Sequence, residues 1–359
     1  MCIITPLPMS EQTVSIIILN YNGLKDTVSC LESVLKSTYK RFKVYVVDNG
    51  SNIDEASILK KTVKSKKCVF IRFKKNYGFT GGNNRVMRKL KSKYILLLNN
   101  DTVVRKNWLS ILVQTAESDP HIAVVQPKIL WDKNRAYFDY AGAAGGFIDI
   151  FGYPFTRGRI FNYLEADRKQ YDGQMDIFWA SGAAMLLRTQ TVREIGYLNE
   201  EYFNYMEEID FCYRVHTRGY RIVCSPKSVV FHKVASTASK MHSKKRYWEH
   251  RNNLLFMLNN FPHKDLVVLF PLRILMDYLS FCYYLLSGRF SYCLALLKAH
   301  WYILSHFRRS VQKKRNYYSL MHADRGVYHG SVVLSHFLLG RKKFSELFYR
   351  NSYLQKIQT

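Results

Sequence analysis

The sequence predicts an α/β fold built on a mostly parallel sheet that is flanked by helices. Apolar runs at 14–19, 43–47, 69–73 and 94–98 are typical of strands buried on both faces of a sheet. Stretches with helical spacing separate these runs, and strands that alternate with helices indicate βαβ units. Right-handed crossovers would place the ends of all four strands at one edge of the sheet.

The elements follow in a regular order, and each early helix lies between two strands. They are strand 14–19, a helix around 28–35, strand 43–47, a helix over 54–64, strand 69–73, a glycine-rich turn at 76–84 leading into a basic helix, and strands 94–98, 122–126 and 183–187. Residues 131–178 are rich in Gly, Tyr and Phe without clear periodicity, so we predict long loops covering the functional site. From 241 onward the pattern is helical and aromatic.

Charge is unevenly distributed along the chain. The 359 residues carry a net charge of +27, and residues 241–359 contribute +14 of it, with 19 Lys and Arg against 5 Asp and Glu. A surface this basic attracts phosphate in anionic lipid, nucleic acid or a diphosphate substrate. No nucleic-acid-binding motif is visible and the basic residues cluster with apolar helices, so we expect an anionic membrane surface and no nucleic acid as partner.

Cysteine spacing and the first residues indicate the compartment. The seven cysteines contain no CxxC pair, which argues against a zinc site or a disulfide framework and favours reduced thiols. The opening MCIITPLPMSEQ lacks the basic start of a signal peptide. We therefore expect a location on the cytoplasmic side of the cell membrane.

Polar residues interrupt the first four strands at the same end. In an open α/β sheet, ligands bind beyond the carboxyl ends of the strands. A lone carboxylate flanked by amides, as at Asp101, suits a hard divalent cation shared with substrate phosphates, although Asn and Asp also favour ordinary turns. The polar clusters are Asn20 with Asn22, Asp48 with Asn49 and Ser51, the glycine turn, and Asn100 with Asp101.

Seven segments form an ordered series along the chain. They are VSIIILNYNG (14–23), VYVVDNGSNID (44–54), NYGFTGGNN (76–84), YILLLNND (94–101), WASGAAMLLR (179–188), YLNEEYFNYMEEIDFCYR (197–214) and VVFHK (229–233). Together they resemble the family 2 glycosyltransferases with a GT-A fold, in particular a rhamnosyltransferase-like branch. The resemblance covers roughly residues 12–260. We expect a GT-A domain over residues 1–260 and a helical, basic and aromatic region over 261–359.

The resemblance implies a pyrimidine nucleotide sugar, dTDP- or UDP-linked, as the donor. It assigns to Asp48 the ring N–H of uracil or thymine, which a carboxylate accepts favourably; a turn or helix N-cap aspartate is the alternative. Glycines at the turn let the backbone approach the donor closely, and the turn matches neither a P-loop nor GxGxxG. The expected donor-binding residues are Asn20, Asn22, Asp48, Asn49, Ser51, Asn76, Gly78, Gly82, Asn83 and Asn100.

Release of a diphosphate requires neutralisation of its charge, which Mg²⁺ or Mn²⁺ provides without proton transfer. Asp101 is the expected anchor for this divalent metal, and Asn99 stands where many relatives carry the first carboxylate of an acidic pair. Relatives also place a histidine at the position of His232 that completes the metal site. Imidazole is a less typical ligand for a hard cation, and a buried structural histidine is the alternative.

Inverting sugar transfer needs a base that takes the proton of the acceptor hydroxyl. Relatives carry Glu-Asp at the positions of Glu207 and Glu208, so Glu208 is the expected base and Glu207 the alternate. Adjacent carboxylates raise each other's pKa, which suits a base, whereas a solvated acidic helix start is the alternative. Asp210 and Arg214 are spaced for an i,i+4 ion pair on the following helix.

The acceptor is expected near Trp179 and Gly182, although a core tryptophan is the alternative for Trp179. Residues 266–286 approach the length of a membrane-spanning helix, but Arg273 and Asp277 argue against a simple span. Helices that lie in the membrane interface fit better, and a helical cap packed on the core is the alternative. A peripheral protein of this kind would use a lipid-linked glycan acceptor.

The sequence thus predicts an inverting glycosyltransferase of bacterial surface polysaccharide synthesis. By resemblance, the sugar is L-rhamnose and the donor dTDP-rhamnose. A second class is a non-catalytic, membrane-attached binding or scaffold protein with the same fold. The presence of Asp48, Asp101, Glu207 and Glu208 argues against loss of activity.

Overall fold

The structure is a computed structural model that describes residues 13–233, 242–312 and 318–348. Its strands in chain order are β1 (Val14–Asn20), β2 (Phe42–Asp48), β3 (Cys68–Arg72), β4 (Tyr94–Asn99), β5 (Thr102–Val104), β6 (Ile122–Trp131), β7 (Gly146–Asp149), β8 (Pro154–Thr156), β9 (Arg159–Ile160), β10 (Tyr163–Leu164), β11 (Met175–Asp176), β12 (Ala184–Arg188), β13 (Arg221–His232) and β14 (Val327–Tyr328).

The helices in chain order are α1 (Leu24–Leu35), α2 (Ile53–Thr62), α3 (Gly78–Met87), α4 (Trp108–Glu117), α5 (Thr189–Ile195), α6 (Glu207–His216), α7 (His242–Asn260), α8 (His263–Leu286), α9 (Phe290–Gln312), α10 (Val332–Phe337) and α11 (Phe344–Leu347). A short 3₁₀ helix covers Leu320–His322.

The larger sheet confirms the predicted mostly parallel α/β architecture. Its order is β11-β13-β6-β12-β4-β1-β2-β3, with β5 paired to β13. The strands β3, β2, β1 and β4 are parallel neighbours. The antiparallel strand β12 lies between β4 and β6, and β13 continues the sheet parallel to β6.

Strand β1 shows why the early strands have continuous apolar sequences. Ile16 and Ile18 pack into the core on one face of the sheet, with residues of α1 and α4. Ile17 points to the opposite face and belongs to a second, larger core. Because side chains alternate between faces, a strand covered on both sides needs an apolar residue at every position.

The segment 131–178 was predicted as long loops, and this prediction was wrong. It contributes four short strands, β7 to β10, to a second sheet of order β10-β9-β8-β7-β14. These strands have two to four residues, which is too few for a period of two to be visible in the sequence. Glycines with positive φ at 142, 145, 152 and 158 mark the turns between and before them.

The fifth strand of this sheet comes from the end of the chain. The strand β14 pairs in parallel with β7, and Phe344 packs on Phe147 with ring centroids 4.7 Å apart. Val332 donates its N–H to Asp149 Oδ2 at 2.9 Å. Residues on both sides of position 260 therefore contribute to one core, and the division of the chain there stays a prediction.

A buried charge network connects α7, α8 and α9. Arg273 Nη2 donates to Asp277 Oδ1 at 3.0 Å. His250 Nδ1 and His300 Nε2 lie 3.2 and 3.0 Å from the Asp277 carboxylate. Burial opposes ionisation of Asp277, but the charge of Arg273 and the two histidine contacts outweigh it and hold the pKa of the carboxyl group far below its usual range.

The outer surface of these helices is apolar. Helix α8 is long and apolar enough to cross a membrane by length and composition, and about a quarter of its most apolar stretch is buried. The large apolar side chains that α8 and α9 expose are Val267, Val268, Leu272, Leu275, Tyr278, Leu279, Tyr283, Leu285, Leu286, Phe290, Leu294, Leu297, Trp301, Leu304 and Phe307.

Asp277→Ala is expected to destabilise the protein by about 3–5 kcal/mol, because it leaves the buried Arg273 guanidinium without its carboxylate. Thermal and urea unfolding of the wild type and of Asp277→Ala measure the difference in the free energy of unfolding. The control is Asp324→Ala, which removes an exposed carboxylate near the chain end. Equal loss of stability in both variants would contradict the structural role of the network.

Candidate active site

The polar ends of three strands lie side by side. Asn20, at the end of β1, is in register with Asp48 at the end of β2. On the other side of β1, Leu19 is in register with Asn99, at the end of β4. The glycine turn after β3 reaches the same edge through a hydrogen bond from Asn49 to the Gly78 carbonyl. The four polar clusters seen in the sequence therefore converge.

Asn20 is fully buried and connects three segments of this edge. Its Nδ2 donates to Ser51 Oγ and Glu55 Oε1, each at 3.1 Å. Its Oδ1 accepts from the Thr27 hydroxyl at 2.8 Å. Asn100 Nδ2 donates to that same hydroxyl at 2.9 Å. Because both ends of the Asn20 amide are used, this residue fixes the shape of the edge.

Asp48 is fully buried, and its two oxygens differ. Its Oδ1 accepts from the Ser51 N–H at 3.2 Å. Its Oδ2 lies 3.3 Å from Arg72 Nε, but it has no well-aligned hydrogen bond among the described residues. A buried acceptor of this kind is a position where a ligand N–H can bind. Asn22, which has a φ of 51°, is exposed and donates its N–H to Ser51 Oγ at 2.9 Å.

The turn from β3 into α3 is held by Asn49. Its Nδ2 donates to Asn76 Oδ1 and to the Gly78 carbonyl, each at 3.0 Å. Its Oδ1 accepts from the Tyr77 N–H at 3.1 Å. Gly78 has a φ of 70°, and a Cβ there would lie 2.5 Å from the Phe203 carbonyl oxygen, so this position requires glycine.

Gly82 and Asn83 lie at the middle of α3. A Cβ at Gly82 would come within 2.8 Å of Leu19 Cδ1, so glycine lets α3 pack closely on β1. Asn83 is buried, and its Nδ2 donates to the Phe79 carbonyl at 2.9 Å. Both residues support the turn, and their contact with a donor stays a prediction.

Asp101 and His232 lie together where β5 meets β13, since His232 is in register with Thr102. His232 Nε2 lies 3.1 Å from Asp101 Oδ1, an ion-pair distance. On the other side, His232 Nδ1 lies 2.9 Å from Oδ2 of the buried Asp139. A carboxylate at Nδ1 fixes the tautomer that presents Nε2 to a metal.

The charges around His232 suit a cation. Burial disfavours the imidazolium form, but hydrogen bonding and charge from Asp101 and Asp139 outweigh it and raise the pKa of His232 to about 10. Within residues 13–233, 242–312 and 318–348, no three or more His, Cys, Asp and Glu side chains are grouped to bind a metal. Asp101 and His232 would hold a cation only after the imidazolium loses its Nε2 proton, with substrate phosphates and water completing the coordination.

Helix α6 begins with the two expected catalytic carboxylates. Glu207 is buried and Glu208 half-buried, and Oε2 of each has no hydrogen-bond partner in the described part of the chain. Burial, assisted by the charge of Glu208, raises the pKa of Glu207 well above its ordinary value. Burial also raises the pKa of Glu208 to about 7, against the opposing effect of its own amide and that of Gly182. Such a group accepts a proton efficiently near neutral pH.

Gly182 connects this pair to the sheet edge. Its amide contacts Glu208, and the next carbonyl, that of Ala183, accepts from the Asn99 N–H at 3.0 Å. A Cβ on Gly182 would come within 2.8 Å of Phe79 Cζ in the glycine turn. Glu208 therefore lies at the same edge as the polar strand ends.

Trp179 packs inside the core. Its indole N–H donates to the Phe147 carbonyl at 2.8 Å, and a Cβ at Gly146 would come within 2.2 Å of its ring. Only 7% of Trp179 is exposed. The structure thus favours the core alternative for this residue over stacking on an acceptor sugar.

The backbone before Glu207 is in an uncommon conformation. Tyr205 and Met206 have φ values of 70° and 72°, in the left-handed region that non-glycine residues seldom adopt. Asn252 of α7 holds this turn, because its Nδ2 donates to the carbonyls of Asn204 and Tyr205, each at 2.8 Å. We call Asn204–Met206 the catalytic turn.

The predicted ion pair at the start of α6 is present. Arg214 Nε donates to Asp210 Oδ2 at 3.0 Å. Asn260, at the end of α7, donates from Nδ2 to Asp210 Oδ1 at 3.0 Å. Helix α7 therefore contacts both the turn before α6 and the first turn of α6.

Sequence analysis missed Asp139 and Asn252. Asp139 lies in the segment that was predicted as loops, where no periodic pattern singles out a residue. Asn252 and Asn253 are adjacent amides that directly precede the apolar run 254–258, and both are buried. A polar pair at such a position signals a buried hydrogen-bonding role, although it does not identify the partner.

Comparison with solved structures shows the fold. The crystal structure of GalNAc-T7 with UDP, GalNAc and Mn²⁺ is similar with a TM-score of 0.52 and 16% identity, over 69% of this chain and 51% of that one. At this identity the likeness concerns the architecture alone. It agrees with the GT-A fold expected from the sequence.

Sequence comparison identifies the family. Residues 15–188 match the family described as Glycosyl transferase family 2. The chain therefore carries a family 2 glycosyltransferase domain and is classed with the glycosyltransferases.

Two curated relatives illustrate the range of this similarity. The low-salt glycan biosynthesis hexosyltransferase Agl10 of Haloferax volcanii is 27% identical over 251 residues, 67% of this chain and 74% of the relative. The poly-β-1,6-N-acetyl-D-glucosamine synthase of Staphylococcus aureus is 22% identical over 258 residues, 71% of this chain. The match spans only 58% of that synthase.

Glu208→Gln is expected to stabilise the protein at about pH 8 and to have little effect at about pH 4. The pKa of Glu208 is raised from 4.5 to about 7 in the fold, so its favourable contribution is present below 4.5 and lost as the pH rises through 7. Glutamine carries no charge and avoids that loss. Thermal unfolding across this pH range measures the effect.

The control for this comparison is Glu32→Gln, at an exposed position of α1. Glu32→Gln is expected to change the midpoint of thermal unfolding by the same small amount at every pH. A Glu208→Gln midpoint that follows the wild-type midpoint at all pH values would show that the Glu208 carboxyl group is not perturbed by burial.

Proposed function

We propose that the protein transfers a sugar from a pyrimidine nucleotide diphosphate sugar to an acceptor hydroxyl, with inversion at the anomeric carbon. The observation that carries this proposal is the position of Glu208. Its carboxyl group is half-buried, has a pKa raised to about 7 and contacts Gly182. It lies at the edge of the sheet that also carries Asp48 and Asp101.

The two carboxyl groups of the pair would have different tasks. Glu207 is the more buried of the two, so it keeps the proton of the pair and Glu208 is the member that ionises. Glu208 would take the proton of the acceptor hydroxyl as its oxygen bonds to the anomeric carbon. The bond from that carbon to the diphosphate oxygen breaks in the same step.

The donor would bind along the ends of β1, β2 and β4. Asp48 Oδ2 is the acceptor for the imide N–H of uracil or thymine, since it has no hydrogen bond within the described residues. Asp101 and His232 would hold a divalent metal, Mg²⁺ or Mn²⁺, which neutralises the charge of the diphosphate when it is bound. The glycine turn and Asn49 shape the space between them.

For the sugar itself, we propose L-rhamnose from dTDP-rhamnose, on the basis of the resemblance in sequence. The relatives name other sugars: one is a hexosyltransferase and another makes poly-N-acetylglucosamine. The GalNAc-T7 structure contains UDP, which is also a pyrimidine nucleotide. UDP-hexoses and UDP-N-acetylhexosamines are therefore the competing donors.

We also propose a lipid-linked glycan as acceptor and a peripheral location at the cytoplasmic face of the membrane. The apolar outer surface of α8 and α9 supports this proposal, together with the net charge of +14 in residues 241–359. Arg273 and Asp277 lie buried against α7 and α9, so α8 has neighbours on its charged side. Its exposed apolar side would lie in the membrane interface.

Nucleotide release from a panel of dTDP-, UDP- and GDP-sugars, with and without Mg²⁺ or Mn²⁺, tests this function. Turnover is expected with a single pyrimidine donor, and removal of the metal is expected to abolish it. Glu208→Gln is expected to lower the rate by a factor of about 10² or more, the usual size of general-base catalysis. The wild-type rate is expected to rise with pH through about 7.

Donor binding serves as the control, because Glu208 does not contact the nucleotide in this proposal. Calorimetric titration with dTDP or UDP should give the same affinity for the wild type and for Glu208→Gln. Turnover of GDP-sugars, or full activity of the variant, would contradict the assigned roles. Absence of any turnover, even with membrane extract as acceptor, would favour a non-catalytic binding protein.

A further inference from the structure

A cleft opens between α7 and α9, and none of the residues that line it belongs to the polar strand ends of the sheet. Its volume is about 610 Å³, and residues from 243–247 and 291–306 line it. Both walls belong to the helical extension that follows the family 2 domain. The proposed transfer reaction assigns no role to this cleft.

The lining of the cleft suits a phosphate. Lys244 from α7 and Lys298 from α9 provide two ammonium groups, and Ser243 and Ser291 provide hydroxyl groups. No acidic side chain is among the described residues that line it, and neither lysine is paired with a carboxylate in the described part of the chain. Two ammonium groups and neighbouring hydroxyl groups bind phosphate oxygens well when no carboxylate competes for them.

The mouth of the cleft meets an apolar stripe. Phe290, Leu294, Leu297, Trp301 and Leu304 are exposed on α9 at spacings of three and four residues, so they share one face of the helix. Leu294 and Trp301 also line the cleft. A ligand with an anionic head and an apolar chain can therefore fill the cleft and extend along the stripe without burying a charge.

One face of α7 leads from the cleft to the catalytic turn. Lys244 lies over the Trp248 ring at 5.1 Å, and Trp248 stacks on Phe203 with ring centroids 5.5 Å apart. One helical turn further, Asn252 holds the carbonyls of the catalytic turn. Lys244 and Asn252 are eight residues apart, about 12 Å along the helix axis. A headgroup that carries one or two sugar rings can bridge this distance.

We infer that this cleft binds the diphosphate of the lipid-linked acceptor, with Lys244 and Lys298 on the phosphates and the lipid chain on the α9 stripe. The inference rests on the proposed function, because it takes the acceptor to be lipid-linked. The acceptor glycan then extends along α7 toward Glu208. The site selects acceptors by the joint presence of a diphosphate and an apolar chain.

Binding of farnesyl diphosphate to the full-length protein tests this inference. Calorimetry and tryptophan fluorescence follow the titration, since Trp301 lines the cleft. Saturable binding is expected, with inorganic pyrophosphate at least tenfold weaker because it lacks the apolar chain. Lys298→Glu is expected to weaken farnesyl diphosphate binding by about tenfold or more, the size of a lost charge-assisted contact.

The matched control is Lys264→Glu, which makes the same charge change at an exposed position of α8 outside the cleft. It is expected to leave farnesyl diphosphate binding unchanged. Equal effects of the two variants, equal affinity for pyrophosphate, or no farnesyl diphosphate binding would overturn the inference. The inference would also be overturned if the protein bound phosphatidylglycerol vesicles in place of farnesyl diphosphate, and if both variants weakened that vesicle binding equally.

Turnover of nucleotide sugars separates this inference from the proposed function. If wild-type protein binds farnesyl diphosphate at the cleft but turns over no nucleotide sugar, the cleft assignment stands and the transferase proposal fails. If a nucleotide sugar is turned over and farnesyl diphosphate does not bind, the transferase stands and the cleft assignment fails.

Discussion

The candidate site depends on a backbone turn that the chain does not adopt at low cost. Tyr205 and Met206 are consecutive non-glycine residues in the left-handed region, and each costs on the order of 1–3 kcal/mol. Such a turn persists only when its surroundings hold it, and Asn252 does so with two hydrogen bonds. The turn starts α6 at Glu207 and so brings the Glu208 carboxyl group to the amide of Gly182 at the sheet edge.

This constraint joins two parts of the chain that the sequence separates. The first four strands build the edge of the sheet at which we propose that the donor binds. The buried Asn20 amide connects β1, the end of β2 and the start of α1 at this edge. The catalytic turn is instead held by α7, which the Asp277 network binds to α8 and α9. The same helices present the apolar surface and the basic cleft. The proposed acceptor cleft and the support of the turn before Glu207 therefore belong to one helical unit.

The sequence predicted the early part of the fold and the convergence of its polar strand ends at one edge. Strands β1 to β4 were recognisable because burial on both faces requires continuous apolar runs, and polar residues mark where they end. The pair of Asp210 and Arg214 followed from helical spacing. Strands β7 to β10 were too short to show a period. Asp139 contacts His232, which is 93 residues away in sequence, and Asn252 contacts Tyr205, which is 47 residues away. A single sequence does not reveal such pairs.

The most direct test of this account is the turnover number of Asn252→Asp, measured as nucleotide release with the donor that the panel identifies. Aspartate keeps the shape of asparagine but cannot donate the two hydrogen bonds to the catalytic turn. We expect kcat to fall by about tenfold or more, because small displacements of catalytic groups are costly. The KM for the donor should not change, and thermal unfolding should show that the variant is folded. An unchanged kcat, or a loss confined to donor KM, would contradict this account.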